Sequence, residues 1–215
     1  MIEFSLWDIT RNLLLAARWT VVLSVLSFIT GGLAGMFVLM LRTGSVKAFA
    51  KIAEWYIEFF QGTPLLLQLF LVYFGLPMLG MDVSPWTAAL LGLTLSASAY
   101  LAEIWRGCVE AVPPGQWEAA TALGLRPLPR AWLVIWPQAL RIAVAPTVGF
   151  MGLMVKSTAL TSIIGFNELL RTSNIITNAT FEPFTVYGIV ALIYLALCWP
   201  LNAASRALER RLTPG

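Results

Sequence analysis

From Trp19 to Leu41 the chain carries no charged side chain. That run exceeds the roughly 20 residues a helix needs to cross the hydrocarbon core of a bilayer. A membrane-spanning helix keeps all its backbone hydrogen bonds internal, which a lipid environment demands. The pattern places the start of this helix near Leu13, with Arg18 reaching back toward the interface. Gly31, Gly32 and Gly35 lie near one face and let another helix approach closely.

The rest of the chain repeats the theme. Only 12% of its 215 residues are charged and 59% are hydrophobic, far too little charged surface for a soluble domain of this length. The reading is a single all-α integral-membrane domain over residues 1–215. Ala48 to Phe60 is amphipathic, with Glu54 and Glu58 one turn apart. Gly62 to Met81 is uncharged and reads as the second span, with Pro64 in its first turns. Asp82, Ser84 and Pro85 form a turn. Trp86 begins a third span that runs through Glu103 and Arg106 to about Val109. A fourth covers Ile142 to Val155, weakened by Pro146 and Gly149 and interrupted by Lys156. Asn167 to Glu182 is polar and reads as a loop, with a short helix within it as the alternative, and Phe184 to Ala204 reads as the fifth span.

Basic residues divide unevenly between the two sides. Arg42, Lys47 and Lys51 follow the first span, Arg126, Arg130 and Arg141 follow the third, and Arg206, Arg210 and Arg211 follow the fifth. The opposite side holds Arg11 and Arg171 beside the acids Glu3, Asp8, Asp82, Glu168 and Glu182. The positive-inside rule then puts the N-terminus outside and the C-terminus in the cytoplasm. The net charge of +3 reflects this topology and not an affinity for nucleic acid. The N-terminal segment lacks a basic n-region and a small-residue cleavage site, and reads as retained. Cys108 and Cys198 sit far apart in apolar surroundings and read as structural thiols. With no His in the chain, no metal site is expected.

Residues 113–138 form the connection between the third and fourth spans, and the topology places it in the cytoplasm. Pro113, Pro114 and Gly115 punctuate its start. Trp117 to Leu123 are mostly helix formers. Gly124 is the expected left-handed cap. Pro127 and Pro129 then oppose simple continuation, and a second short helix is expected to stop near Pro137. Glu118, placed near a helix start, would favour the helix dipole. Ala119 and Ala120 would give a low-relief face able to enter a groove.

This segment also carries a resemblance. Glu118-Ala119-Ala120, Gly124 and Ile135-Trp136-Pro137 resemble the EAA loop of bacterial ABC importer permeases. Three further stretches resemble the polar amino acid branch of that family: Tyr56 to Phe70, Ala99 to Gly107, and Lys156 to Gly165. Together they cover roughly residues 13 to 205. The resemblance implies a type I ABC importer in the bacterial inner membrane. Two such permease subunits, identical or related, pair. ATPase subunits that bind ATP and Mg dock on the cytoplasmic loops, and an extracytoplasmic binding protein delivers the substrate. Gly115, Glu118, Ala119, Ala120, Gly124 and Pro137 are the implied ATPase-coupling residues. The family usually has a small residue where Arg126 stands, Leu where Trp136 stands, and an Asn-Glu pair where Gly149 and Phe150 stand. The first difference bears on which ATPase fits, the last on the charge of the substrate.

The chain itself shows no phosphate-binding loop of Walker type and no nucleophile-base constellation, so no catalysis and no cofactor are expected on it. Gln61 and Gln68, seven apart, are read on one helical face with Thr63 beside them, either lining a water-filled path or bonding between helices. Tyr100 and Glu103 share a face, and Glu103 also pairs in spacing with Arg106. Lys156 is the sharpest single candidate for a translocation path, because an ammonium in a span is costly and usually functional. It meets either a substrate carboxylate or an acid such as Glu103, with Ser157 and Thr158 adjoining it. The alternative to an importer subunit is a self-sufficient secondary transporter or channel; five spans and a coupling-type loop argue against it.

Overall fold

The computed structural model describes residues 5–44 and 46–212; Glu3, counted above with the outer acids, lies outside them. All regular structure among these residues is helical. Four helices are long and apolar enough to cross a membrane, and a bent pair makes a fifth candidate.

Helix α1 runs Leu6–Thr43, seven residues longer at its start than the sequence pattern placed it. A capping box explains the early start: Asp8 N donates to Ser5 Oγ at 3.2 Å, and Ser5 N donates back to Asp8 Oδ2 at 3.2 Å. Its buried stripe is Leu13, Ala17, Thr20, Ser24, Ser27, Gly31, Gly35 and Val38, while Leu15, Val22, Leu26, Ile29, Leu33 and Phe37 remain exposed. A helix apolar on both faces suits a lipid surround.

Helix α1 packs along α4, Pro85–Glu110, whose N-cap Ser84 accepts from Thr87 N. A Cβ added at Gly31 would lie 2.5 Å from Ala97 Cβ, and one at Gly35 would lie 2.8 Å from Ser98 O. At Gly32 the nearest atom is Trp105 Cη2 at 3.8 Å. The expected close approach therefore belongs to Gly31 and Gly35.

Helix α2, Lys47–Gly62, lies against α1 and α4 through Ala53 and Ile57. Its polar residues face a local ion cluster in which Glu54 pairs with Arg42 and Lys51, each at 3.2 Å. The chain then breaks. Helix α3, Leu65–Met78, leaves at 105° to α2. The second span is thus not one helix from Gly62 onward. Pro64 forces Thr63 into extended backbone (φ −111°, ψ 142°), which ends α2 instead of bending it.

Helix α5, Pro114–Ala122, precedes α6, which runs continuously over Pro127–Ser162. The expected stop at Pro137 does not occur. Pro127 and Pro129 fall in the first turn of α6, where a missing N–H is tolerated. Pro137 is accommodated by a π-helical turn over Ala131–Ile135, which relieves the clash of its ring with the carbonyl four residues earlier. The same device precedes Pro77, where the π turn spans Leu71–Gly75. Within the polar stretch after the fourth span the short helix forms as α7, Leu169–Thr180, capped by Glu168 and packed on α1 through Leu169 and Ile176. Helix α8, Pro183–Leu212, packs on α6, where Gly149 and Gly152 admit Ser205 and Asn202.

The contact geometry separates the three glycines of α1. Gly31→Ala and Gly35→Ala should each lower the unfolding midpoint in detergent, by an overpacking cost of about 1–3 kcal/mol. Gly32→Ala should leave the midpoint unchanged. Equal midpoints for all three would contradict the packing of α1 on α4.

Candidate functional site

The segment between α4 and α6 is a compact unit. Pro114 opens α5 at its first position and Gly115 follows, exposed. At the other end Gly124 has φ +74°. Its N–H donates to Thr121 O at 2.9 Å and Leu125 N donates to Ala120 O at 3.2 Å, the paired bonds of a Schellman cap. No atom lies within 4 Å of a Cβ built on Gly124, so conformation alone selects glycine there.

Three contacts that the sequence did not signal hold α5 to α6. Arg130 Nη1 donates to Thr121 Oγ1 at 2.8 Å, and its guanidinium lies 5.7 Å from the Trp117 ring centroid. Gln138 Nε2 donates to Gln116 Oε1 at 3.2 Å. Beneath them Val112, Ile135 and Ala139 form a small apolar core with Trp117 and Val134. Two expectations change. Ala120 is buried, so only Ala119 of that pair faces outward. Glu118 is the fifth residue of α5, beyond the first turn, so the dipole argument does not hold for it; it stands exposed beside Ala119. Leu123 and Leu128 are 81% and 69% exposed.

A second group gathers at the break between α2 and α3. Gln61 and Gln68 do not share a helical face, because the 105° bend separates them. Gln68 is buried, and its Nε2 donates to Phe60 O at 2.9 Å, Thr63 O at 3.0 Å and Thr63 Oγ1 at 2.9 Å. It thereby satisfies carbonyls left open where α2 ends. Gln61 Nε2 donates to Ala99 O at 3.3 Å, and Tyr56 OH lies 2.6 Å from Ser98 Oγ. These residues tie α2 to the middle of α4.

Further along α4, Tyr100 is half-buried and stacks on Phe150 at 5.9 Å between centroids. Glu103 is paired with Arg106 at 2.6 Å, and Arg106 also bonds Glu110. Glu103 is therefore not the partner of Lys156. Lys156 is exposed on the last α-helical turn of α6 and forms no ion pair among the described residues. Its neighbours spend their hydroxyls locally: Ser157 Oγ donates to Leu153 O at 3.0 Å and Thr158 Oγ1 to Val155 O at 2.8 Å.

Sequence reading placed Glu168 in a loop and gave it no role. It is fully buried between the fourth and fifth spans. Its Oε1 accepts from Arg171 N at 2.8 Å, and its Oε2 accepts from Tyr194 OH at 3.1 Å and Thr20 Oγ1 at 3.4 Å. Removal from water pushes this carboxyl's pKa up, opposed by these donors. Only spatial proximity of α1, α7 and α8 discloses the cluster.

The Gln68 amide can be tested directly. Gln68→Leu leaves the Phe60 and Thr63 carbonyls without their side-chain donor. It should cost about 1–3 kcal/mol, read as a lower unfolding midpoint in detergent. Gln61→Ala removes one long bond and should cost less than about 1 kcal/mol. A Gln68→Leu protein as stable as the parent would mean that the amide does not hold the break.

Comparison with known proteins gives a consistent result. Residues 27–214 match the family model described as binding-protein-dependent transport system inner membrane component. The probable amino-acid ABC transporter permease protein YckA of Bacillus subtilis is 36% identical over 90% of this chain and 85% of its own length. The glutamine transport system permease protein GlnP of Escherichia coli is 34% identical over 97% and 96%. A chain from a crystal structure of an amino acid ABC transporter with histidines is 35% identical and superposes with a TM-score of 0.92, covering 98% of this chain and 99% of that one. A chain of the MetNI methionine ABC transporter in an inward facing conformation shares the fold at 21% identity and a TM-score of 0.71.

Proposed function

The chain belongs to the family of binding-protein-dependent transport system inner membrane components, and from that membership we propose that it is the membrane-spanning subunit of an ATP-driven importer of a polar amino acid. The substrate class follows the names of relatives that align along nearly all of the chain. The family's dependence on a binding protein removes the ground for a self-sufficient transporter. In this reading a second permease subunit completes the pathway, and ATP and Mg bind a separate ATPase. The protein sits in the bacterial inner membrane with its N-terminus outside, and residues 113–138 are cytoplasmic.

One observation carries the coupling role most strongly. Helix α5 is held rigidly to α6 by the Arg130 contacts, yet Leu123 and Leu128 stay exposed at its edge. Large apolar side chains grouped on a surface outside the bilayer mark a protein contact. Glu118 and Ala119 complete the outward face that an ATPase groove would receive, and Gly115 leaves its start unobstructed. Pro137 acts differently, by imposing the π turn that sets α5 against the fourth span. Force from the ATPase then passes through α5 and its Arg130 clasp into α6, whose far end carries Lys156.

Lys156 is the residue proposed to meet the substrate carboxylate. It is the one exposed cation among the described residues at the far end of α6, with no acid to neutralise it. An unpaired ammonium in a span is retained for a function. Gln61, Thr63, Gln68, Tyr100, Glu103, Ser157 and Thr158 support the wall of the path through the bonds already described, rather than by offering free polar groups to a substrate.

Two substitutions separate coupling from substrate contact. Gly124→Val places a β-branched residue in the left-handed region, which costs at least about 1–2 kcal/mol. ATPase retention in a detergent pull-down should fall about tenfold or more, with normal insertion of the spans. Lys156→Met keeps side-chain length and removes the charge. It should leave the ATPase bound and reduce uptake into vesicles. Uptake at the parental rate by Gly124→Val with the ATPase retained would refute the coupling assignment, and parental uptake kinetics for Lys156→Met would refute the substrate contact.

A further inference from the structure

We propose that Glu168 and Tyr194 are positioning residues for transport: they fix the turn that ends α6 and so set the direction in which Lys156 faces its substrate. The inference rests on the reading of Lys156 given above and extends it to residues that touch no substrate.

Three segments converge on the Glu168 carboxyl: Thr20 comes from α1, Arg171 from α7 and Tyr194 from α8. The 3₁₀ turn over Thr158–Ser162 at the end of α6 lies next to them through Arg171. Thr20 Oγ1 both donates to Glu168 and accepts from Leu169 N at 3.2 Å. Arg171 Nη1 reaches back to Ser162 O at 3.3 Å, so α7 holds the last carbonyl of the 3₁₀ turn. One turn further along α8 from Tyr194, Cys198 Sγ lies 3.7 Å from Gly152 O of α6. The network thus reaches α6 on both sides of Lys156 in sequence, at Gly152 and at Ser162.

Stability alone is a weak reason to keep this arrangement. A buried carboxylate pays heavily for desolvation, and apolar residues of similar size often serve stability as well. What the carboxylate adds is direction. Its two oxygens accept from three elements at once, and Arg171, whose N–H it accepts, carries the result to Ser162 O at the end of the turn that follows Lys156. Losing one donor leaves the core filled and the helices in place, but frees the turn to rotate.

The test uses the complete transporter, with its ATPase and binding protein, in proteoliposomes, probed with the labelled L-amino acid that gives the highest uptake from a panel. Tyr194→Phe removes only the hydroxyl. The half-saturating concentration should rise about fivefold, within the range for coupled neighbours, while the maximum rate stays within about twofold. Glu168→Gln should retain near-parental half-saturation, because the amide oxygen still accepts from Arg171 N and the hydroxyls of Tyr194 and Thr20 can accept from the amide nitrogen. The decisive comparison is Lys156→Met with and without Tyr194→Phe. If Tyr194 acts through Lys156, the double variant matches Lys156→Met alone. Independent, multiplicative effects would overturn the proposal, as would a fall in maximum rate at unchanged half-saturation. If Tyr194→Phe fails to assemble, Thr20→Val against Thr20→Ser makes the same comparison, with Ser keeping the hydroxyl. A Lys156→Met protein with parental half-saturation would instead sink the substrate-contact reading itself, whatever the Tyr194 result.

Discussion

The close approach of α1 to α4 is the contact on which the remaining structure depends. In a membrane, helices gain little from hydrophobic burial against each other, so packing distance and hydrogen bonds decide which pairs form. Gly31 and Gly35 bring α1 directly onto Ala97 and Ser98. Ser96, Ala97, Ser98 and Ala99 are all buried, because α4 is approached on several sides at once. Small side chains there also leave main-chain carbonyls within reach. Tyr56 and Gln61 of α2 use that access, bonding Leu95 O and Ala99 O. Gly92 admits Leu69 of α3 in the same way. The centre of the bundle is therefore a helix with little side-chain bulk, around which bulkier helices are arranged.

Proline shapes what surrounds that centre. Pro64 ends α2 within the bundle, and the exposed carbonyls at the break are recovered by the buried Gln68 amide. Pro77 and Pro137 are each preceded by a π turn, so those helices continue with altered phase. For α6 this matters functionally. One continuous rod reaches from the α5 contacts to the Lys156 turn, so a displacement at one end has a mechanical route to the other. Helix α5 cannot swing freely at the near end, because Arg130, Gln138 and the Val112 core hold it. At the far end Arg171, whose N–H bonds Glu168, reaches Ser162 O.

Local patterning was legible in the chain: the apolar runs, Gly31 and Gly35 of α1 and the left-handed cap at Gly124. Each is a local signal whose physical cause lies within one helix turn or one bilayer crossing. The errors came where a local rule met a tertiary override. Pro137 reads as a stop because its clash with a preceding carbonyl is local, but a π turn absorbs it. Gln61 and Gln68 share a face only if no bend intervenes. Of the two partners the sequence allowed Glu103, the local one, Arg106, takes it, and Lys156 does not. Of the loop and the short helix that the polar stretch 167–182 allowed, the helix forms as α7, because its apolar residues find partners on α1 and α8. Glu168 lay beyond sequence reasoning altogether, since its burial is produced by residues about 148 and 26 positions away.

In the proposed function this chain moves a solute only as part of an ATP-driven assembly, with force entering at α5 and ending at the Lys156 turn. That dependence is tested most directly by uptake into proteoliposomes containing the permease, with the ATPase and the binding protein supplied or withheld. Uptake of a labelled L-amino acid should require both partners together with ATP and Mg, and should stop when a non-hydrolysable ATP analogue replaces ATP. Accumulation by the permease alone, driven by an ion or substrate gradient, would contradict the account.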